Sequence, residues 1–304
     1  MNRTKNLLRL IILVASMQVV AQTVFAESYS FTSIDVPGFK GKTAVSGINN
    51  WRHIVGHIDV PSPAAIPTHG FLRVGETFIP IDVPGARATH VSGINNSGQM
   101  VGGWTDANGV RHGFLLSGTF STIDFPGNPE LTDLAKINDR GEIIGTTSPR
   151  FPEMFDFHPF ILSRGSFITV DSILPNLPVP GVGQKNNWGE MVGSYRDTNG
   201  EFVGFVIRDG QFETIRFPGA SRTEAQGINN LGQVIGSYVD IPLTFPLPEE
   251  PQDRGFLLSE GKFITIEFPG ARNTVPRGIN DWSEIVGYYD DGTGRHGFLA
   301  KPIK

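Results

Sequence analysis

Four histidines, His69, His112, His158 and His296, are the side chains best suited by type to hold a metal or move a proton, and each stands two residues before a Phe. Their recurrence at one place in successive repeats argues against a shared ion. Equivalent positions spread around a ring lie much farther apart than metal bonds near 2.1 Å allow, so the expectation is a structural hydrogen-bonding role with no metal and no cofactor. His53 and His57, four residues apart on an expected strand, would lie roughly 13 Å apart, too far to share an ion. The segments Asp106-Ala107-Asn108-Gly109, Asp197-Thr198-Asn199-Gly200 and Asp290-Asp291-Gly292 resemble the start of a calcium loop but lack its distant Glu, and turn chemistry explains them. Glu142, Glu190 and Glu284 recur after Asn-containing turns and are expected at solvated turn positions. Nucleophile elbows, phosphate-binding loops, zinc-protease helices and dinucleotide fingerprints are all missing from the sequence, so no catalytic residue is assigned.

The elements that position these residues come from an internal repeat. Phe-x-x-Ile-Asp-x-Pro-Gly runs from Phe31 to Gly38, Phe78 to Gly85 and Phe120 to Gly127, in altered form from Phe212 to Gly219 and Phe263 to Gly270, and weakly from Phe167. After each come a Gly-Ile-Asn-Asn-like element, an apolar run ending in Gly, and a His-Gly-Phe-Leu-like segment. The repeats fall at about 31–77, 78–119, 120–166, 167–211, 212–262 and 263–304, a period in the range of propeller blades. Each offers four short runs rich in Ile, Val, Phe and Thr, separated by turn residues, which is what one blade requires. The expected fold is therefore an all-β, six-bladed β-propeller of four-stranded blades, with an open solenoid as the alternative. In blade order, strand a ends at Gly-Ile-Asn, b is the Ile-Val-Gly run, c is His-Gly-Phe-Leu and d is Phe-x-x-Ile-Asp. The chain starts with a lone d segment and stops after a lone c segment. Pairing Phe31 to Asp35 with Gly297 to Ala300 would complete the last blade and leave no open edge.

The first residues carry Arg3, Lys5 and Arg9, an apolar stretch from Leu10 to Val20, and Val24-Phe25-Ala26. Residues 1–26 read as a secretory signal peptide, leaving 27–304 as a single propeller domain, secreted, periplasmic or at the cell surface, with no membrane span after cleavage. Three of the 25 basic residues lie in the leader, so 22 remain against 30 acidic ones, a balance unsuited to nucleic acid. Cysteine is absent, so packing and ring closure must replace disulfides.

The Phe-x-x-Ile-Asp-x-Pro-Gly, Gly-Ile-Asn-Asn-x-Gly and His-Gly-Phe elements resemble the bacterial extracellular HAF repeat family over essentially residues 31 to 300. The His-Ala-Phe triplet of that family reads His-Gly-Phe at 69, 112 and 296 and His-Pro-Phe at 158. The resemblance implies a bacterial secreted protein and brings no catalytic residues.

Departures from the repeat point to binding. The b–c connections of blades one, three and five are long and Pro-rich (Asp59 to Thr68, Thr146 to Phe157, Asp240 to Arg254), and long loops on a rigid scaffold are where function concentrates. They carry Phe151, Met154, Phe155, Phe157 and Phe245. The d–a loops of the same face hold Lys40, Lys42, Arg87, Arg222 and Arg272, suited to an anionic glycan or a partner's carboxylates. Trp51, Trp188 and Trp282 lie in the turns of the opposite face, where packing between blades is the expectation and sugar stacking the alternative. The sequence thus reads as a monomeric, non-enzymatic binding module for a glycan or protein on its loop-rich face. A glycan-active hydrolase or lyase and a surface-structural repeat protein are the alternatives.

Overall fold

Short β-branched and aromatic runs between Asn, Asp, Gly and Pro favour strands joined by tight turns. The computed structural model describes residues 28–60, 68–127, 131–148, 157–174, 177, 181–240 and 252–303, and these runs form six four-stranded antiparallel sheets. The first blade is built from Thr43–Ile48, Ile54–Asp59, Thr68–Val74 and Thr77–Ile81 as a, b, c and d. The a strands contact one another around the axis, giving the expected six-bladed β-propeller. The weak d segment of blade three departs from the others: strand Ser166–Thr169 gives way to a helical turn, Val170–Ile173.

The last blade takes a, b and c from Asn273–Ile279, Ile285–Asp291 and Gly294–Pro302, and its d strand from Tyr29–Ile34 at the other end of the sequence. Phe31 faces Ala300 and Ile34 faces Gly297, so the closure expected from the sequence forms and extends to Tyr29 and Pro302. It buries Ile34 and packs the Phe31 ring 6.1 Å from that of Phe298.

One packing unit recurs in all six blades. The Phe of strand c is buried (Phe71, Phe114, Phe160, Phe205, Phe256 and Phe298) and meets the Phe of strand d, with centroids 5.2 to 5.4 Å apart in the first five blades. The c-strand ring lies across the Gly of strand b. At Gly56 or Gly236 a Cβ would collide with both that ring and an a-strand carbonyl, which is why the apolar run of every repeat ends in Gly. Losing one such Phe to Ala would cost about 3–5 kcal/mol.

Every a–b pair also carries a bulge at the same place, between Val45 and Gly47 in the first blade and Leu134 and Lys136 in the third. At the Gly position of the bulge the third blade has Lys136. Its ammonium donates to the carbonyls of Ser46 (2.6 Å) and Arg277 (2.7 Å), and more distantly to that of Ser92, so one side chain ties three other blades together across the channel. Burial, with Arg277 adding to it, lowers this amine to about 7.

Deleting residues 27–36 removes the closing strand and exposes the edge of strand c. The melting temperature should fall by roughly 10 °C or more; an unchanged value in a thermal melt would contradict the closure.

Candidate functional site

The Asn of each Gly-Ile-Asn-like element directly follows an inner strand and is buried in all six blades, at 49, 95, 138, 186, 229 and 280. Its Oδ1 accepts two backbone N–H groups of its own turn, as Asn186 does from Trp188 and Glu190, both at 3.0 Å. Its Nδ2 donates to the carbonyl of the same Asn in the next blade. The bonds run from Asn49 to Asn95, Asn138, Asn186, Asn229 and Asn280, and the last returns to Asn49. Only a carboxamide supplies two acceptor lone pairs and two donors in this compact shape.

A second ring, nearer solvent, is formed by the following residues. Each backbone N–H donates to the side-chain oxygen of the next blade's residue, in the order Asn50, Asn96, Asp139, Asn187, Asn230, Asp281 and back to Asn50. The two carboxylates sit in opposite blades, and each accepts Nδ2–H bonds from the Asn on both sides: Asp139 from Asn96 and Asn187, Asp281 from Asn230 and Asn50. The rings line a shallow depression at the axis.

Around this depression stand Trp51, Trp188 and Trp282, 70%, 70% and 62% exposed, with Leu231 at 64%. They do not pack between blades as expected. Each indole N–H reaches across and donates to the next blade's backbone, Trp51 to Asn96, Trp188 to Asn230 and Trp282 to Asn50, at 2.8 to 3.1 Å. The rings are thereby anchored while most of their surface stays in water. Trp282 thus reaches the turn that carries Trp51, Trp188 the turn that carries Leu231, and Trp51 the turn of the second blade. Exposed Trp of this extent is unusual enough to need a reason. The signal in the sequence was the Trp after Asn-Asn or Asn-Asp; what it could not give was which way the indole turns.

The recurring carboxylates are not freely solvated. Glu142, Glu190 and Glu284 each accept the second Nδ2–H of their blade's ring Asn, at 2.8, 2.5 and 2.9 Å. Each also takes a cation: Lys185 at 2.7 Å, Arg208 at 3.0 Å and Arg52 at 2.9 Å. Carboxylates held in this way serve the ring rather than acid–base chemistry.

On the opposite face the repeat histidines meet the Asp that follows strand d. His69 bonds Asp82 (3.1 Å), His112 bonds Asp124 (2.9 Å) and His296 bonds Asp35 (2.9 Å), with His158 and Asp171 at 3.5 Å. Blade five replaces the pair by Arg254 and Glu267 at 3.2 Å. The two motifs are thus halves of one c–d contact. Asp106 and Asp197 each accept two N–H groups of their own turns, as Asn or Asp before Gly does in ordinary turn chemistry.

The basic residues expected at this face stand at the heads of different inner strands. Lys40, Lys42, Arg87 and Arg272 are exposed, whereas Arg222 is held by Asp253 and lies 3.8 Å from Glu224. Phe157 is 47% exposed; Phe151, Met154, Phe155 and Phe245 lie outside the described residues. Sequence reasoning missed a network nearer the axis. His90 bonds Asp133 at 2.9 Å, Asp133 lies 3.4 Å from Arg111, and His57 packs edge-on to His90 with its Nδ1 buried and unpartnered. Burial, reinforced by His90, pushes His57 down to about 4.

Asn186→Asp keeps the shape and removes both Nδ2 donors, placing a charge beside Glu190. Denaturant unfolding should show a loss of about 2–4 kcal/mol, and a stability equal to wild type would refute the role of the ring. Between about pH 6.5 and 4 the unfolded chain takes up a proton that native His57 refuses, so stability falls as pH falls through that window, by on the order of 3 kcal/mol. In His57→Asn the acid limb of the melting temperature against pH should be correspondingly shallower.

No protein-family model and no curated protein matches this chain. Solved structures do. AofleA from Arthrobotrys oligospora aligns over 90% of this chain and 86% of its own, with TM-score 0.54 and 10% identity. The Pyrococcus horikoshii acylaminoacyl peptidase aligns over 88% of this chain and 47% of its own, with TM-score 0.50 and 11% identity. The Aleuria aurantia lectin follows at TM-score 0.47 and 10% identity, over 87% and 97%. At these identities the likeness is one of fold alone.

Proposed function

We propose that this chain is a secreted, non-enzymatic glycan-binding propeller of the HAF-repeat type, released by cleavage after Ala26. Its principal binding surface is the face that bears the three tryptophans. The observation that carries this reading is the set of indoles anchored through their N–H groups while 62–70% of each residue remains exposed around a rim of carboxamides. A rigid aromatic plate loses little entropy when the C–H face of a sugar ring settles on it, and neighbouring Asn and Asp side chains match sugar hydroxyls.

Three anchored indoles on different blades favour an oligosaccharide over a single sugar, since a chain that engages more than one gains from effective concentration. Binding rather than hydrolysis is favoured because the carboxylates of this face are engaged in the frame: Glu142, Glu190 and Glu284 by ring Asn residues and cations, and Asp139 and Asp281 by the Asn side chains on both sides. The loop-rich face, where Lys40, Lys42, Arg87, Arg272 and Phe157 are exposed, is the second reading, for an anionic glycan or a protein ligand.

A glycan array followed by titration of the strongest ligands tests the proposal. Trp51→Ala, Trp188→Ala and Trp282→Ala should each weaken binding about tenfold, or about 1.4 kcal/mol. Their melting temperatures should stay near wild type, because the substituted rings are mostly in water. No ligand on the array, or a ligand whose affinity ignores all three substitutions, would overturn it.

A further inference from the structure

Blade four breaks the pattern of the inner strands. Where blade five carries Glu224 and Gln226, blade four has Gly181 and Gly183, at matching places opposite Ser237 and Ser194. Gly183 is needed for close approach, because a Cβ there would press on the backbone of Gln226. Gly181 is different: its φ is not in the left-handed region, and a Cβ would meet nothing nearer than the Ser194 carbonyl at 3.8 Å. The missing side chains leave a cavity of about 330 Å³ at the b–c end of the channel. That is within the range of small-molecule sites. Lys136, occupied by its three carbonyls, lies at its inner end.

The walls are chemically specific. Gln226 turns its Nε2 toward Ser237 Oγ at 3.5 Å and leaves Oε1 buried without a partner. Turning the amide over only exchanges which atom is left unsatisfied. A ligand hydroxyl, donor and acceptor at once, satisfies either arrangement. Glu224 offers a carboxylate whose nearest cation, Arg222, is 3.8 Å away and is claimed by Asp253. Ser194 accepts the Ala225 N–H, which leaves its own hydroxyl proton to donate. Arg277 packs over the Tyr288 ring and gives one N–H to its hydroxyl at 3.3 Å; among the described residues it makes no ion pair, so most of its fork is open to a carboxylate. Phe202 supplies an apolar wall.

We propose that this cavity is a second binding site, separate from the tryptophan face, that seats one acidic monosaccharide of the uronic acid class. Its hydroxyls meet Glu224, Gln226 and Ser194, its carboxylate meets Arg277, and its C–H face meets Phe202. Neutral sugars lack the group that Arg277 requires, and a free amino acid lacks the hydroxyls.

Ligand-observed NMR and calorimetric titration of the full mature chain with D-glucuronate and D-galacturonate, beside D-glucose, D-galactose and glycine, test this. At least one uronate should bind, its neutral parent at least tenfold more weakly. Arg277→Met should erase that difference, and Gly181→Leu, which fills the cavity, should abolish binding. Trp51→Ala should leave uronate binding unchanged, which separates this site from the glycan surface proposed above. The proposal is overturned if neither uronate binds, if glycine binds in their place, or if the neutral sugars bind as tightly. It is also overturned if a folded Gly181→Leu binds as wild type does. Should Gly181→Leu fail to fold, Arg277→Met and Glu224→Gln decide, and unchanged uronate affinity in both counts against the site.

Discussion

The fold depends on a closed circle of hydrogen bonds in which each blade's buried Asn donates to the backbone carbonyl of the Asn in the next blade, ending where it began. A sheet-based ring must bring six inner strands to one axis, and their ends would otherwise leave polar backbone groups facing each other without partners. The carboxamide resolves this with one residue per blade, folding its own turn through Oδ1 and clasping its neighbour through Nδ2. The outer circle of Asn and Asp adds a further side-chain bond from every turn to the next. Because both circles pass through the seam between Asn280 or Asp281 and Asn49 or Asn50, they reinforce the closure that the N-terminal strand makes at the rim. In a chain without cysteine, these two devices stand where disulfides would.

The architecture was legible because each motif answers to one physical need. Gly in the apolar run makes room for a Phe ring, Asn in Gly-Ile-Asn serves three or four hydrogen bonds, and the lone d and c segments complete each other. The pairing of His-Gly-Phe with Phe-x-x-Ile-Asp through His and Asp was present in the sequence as two motifs. Their contact needed the c–d register, and the Arg254 and Glu267 pair of blade five marks the same contact in another chemistry. The site was less legible. Trp51, Trp188 and Trp282 were placed on the right face, but an indole in a turn can fold inward or outward, and the choice rests on whether the next blade presents a carbonyl to its N–H. Glu142, Glu190 and Glu284 look solvated in the sequence because the cations that hold them come from other strands and blades, a relation that spacing along the chain does not encode.

Function, on this account, lies in the departures from sixfold sameness. The ring positions are nearly invariant, whereas the position after the outer ring residue changes from Trp to Ser, Arg, Trp, Leu and Trp around the circle. That variation makes an asymmetric surface from a symmetric frame. On the other side of Lys136, the glycines of blade four line a cavity where blade five carries Glu224 and Gln226. The frame holds both surfaces rigid, which lowers the entropic cost of binding and leaves specificity to a few side chains.

The central claim, that the anchored indoles are a glycan-binding surface, is tested most directly by tryptophan emission during titration of the intact protein with a panel of oligosaccharides. Three of the four Trp residues lie on this face, so the account predicts that at least one oligosaccharide shifts the emission to shorter wavelength along a saturable curve matching its calorimetric affinity. Oligosaccharides that bind without changing the emission, or a panel that yields no binding at all, would contradict it.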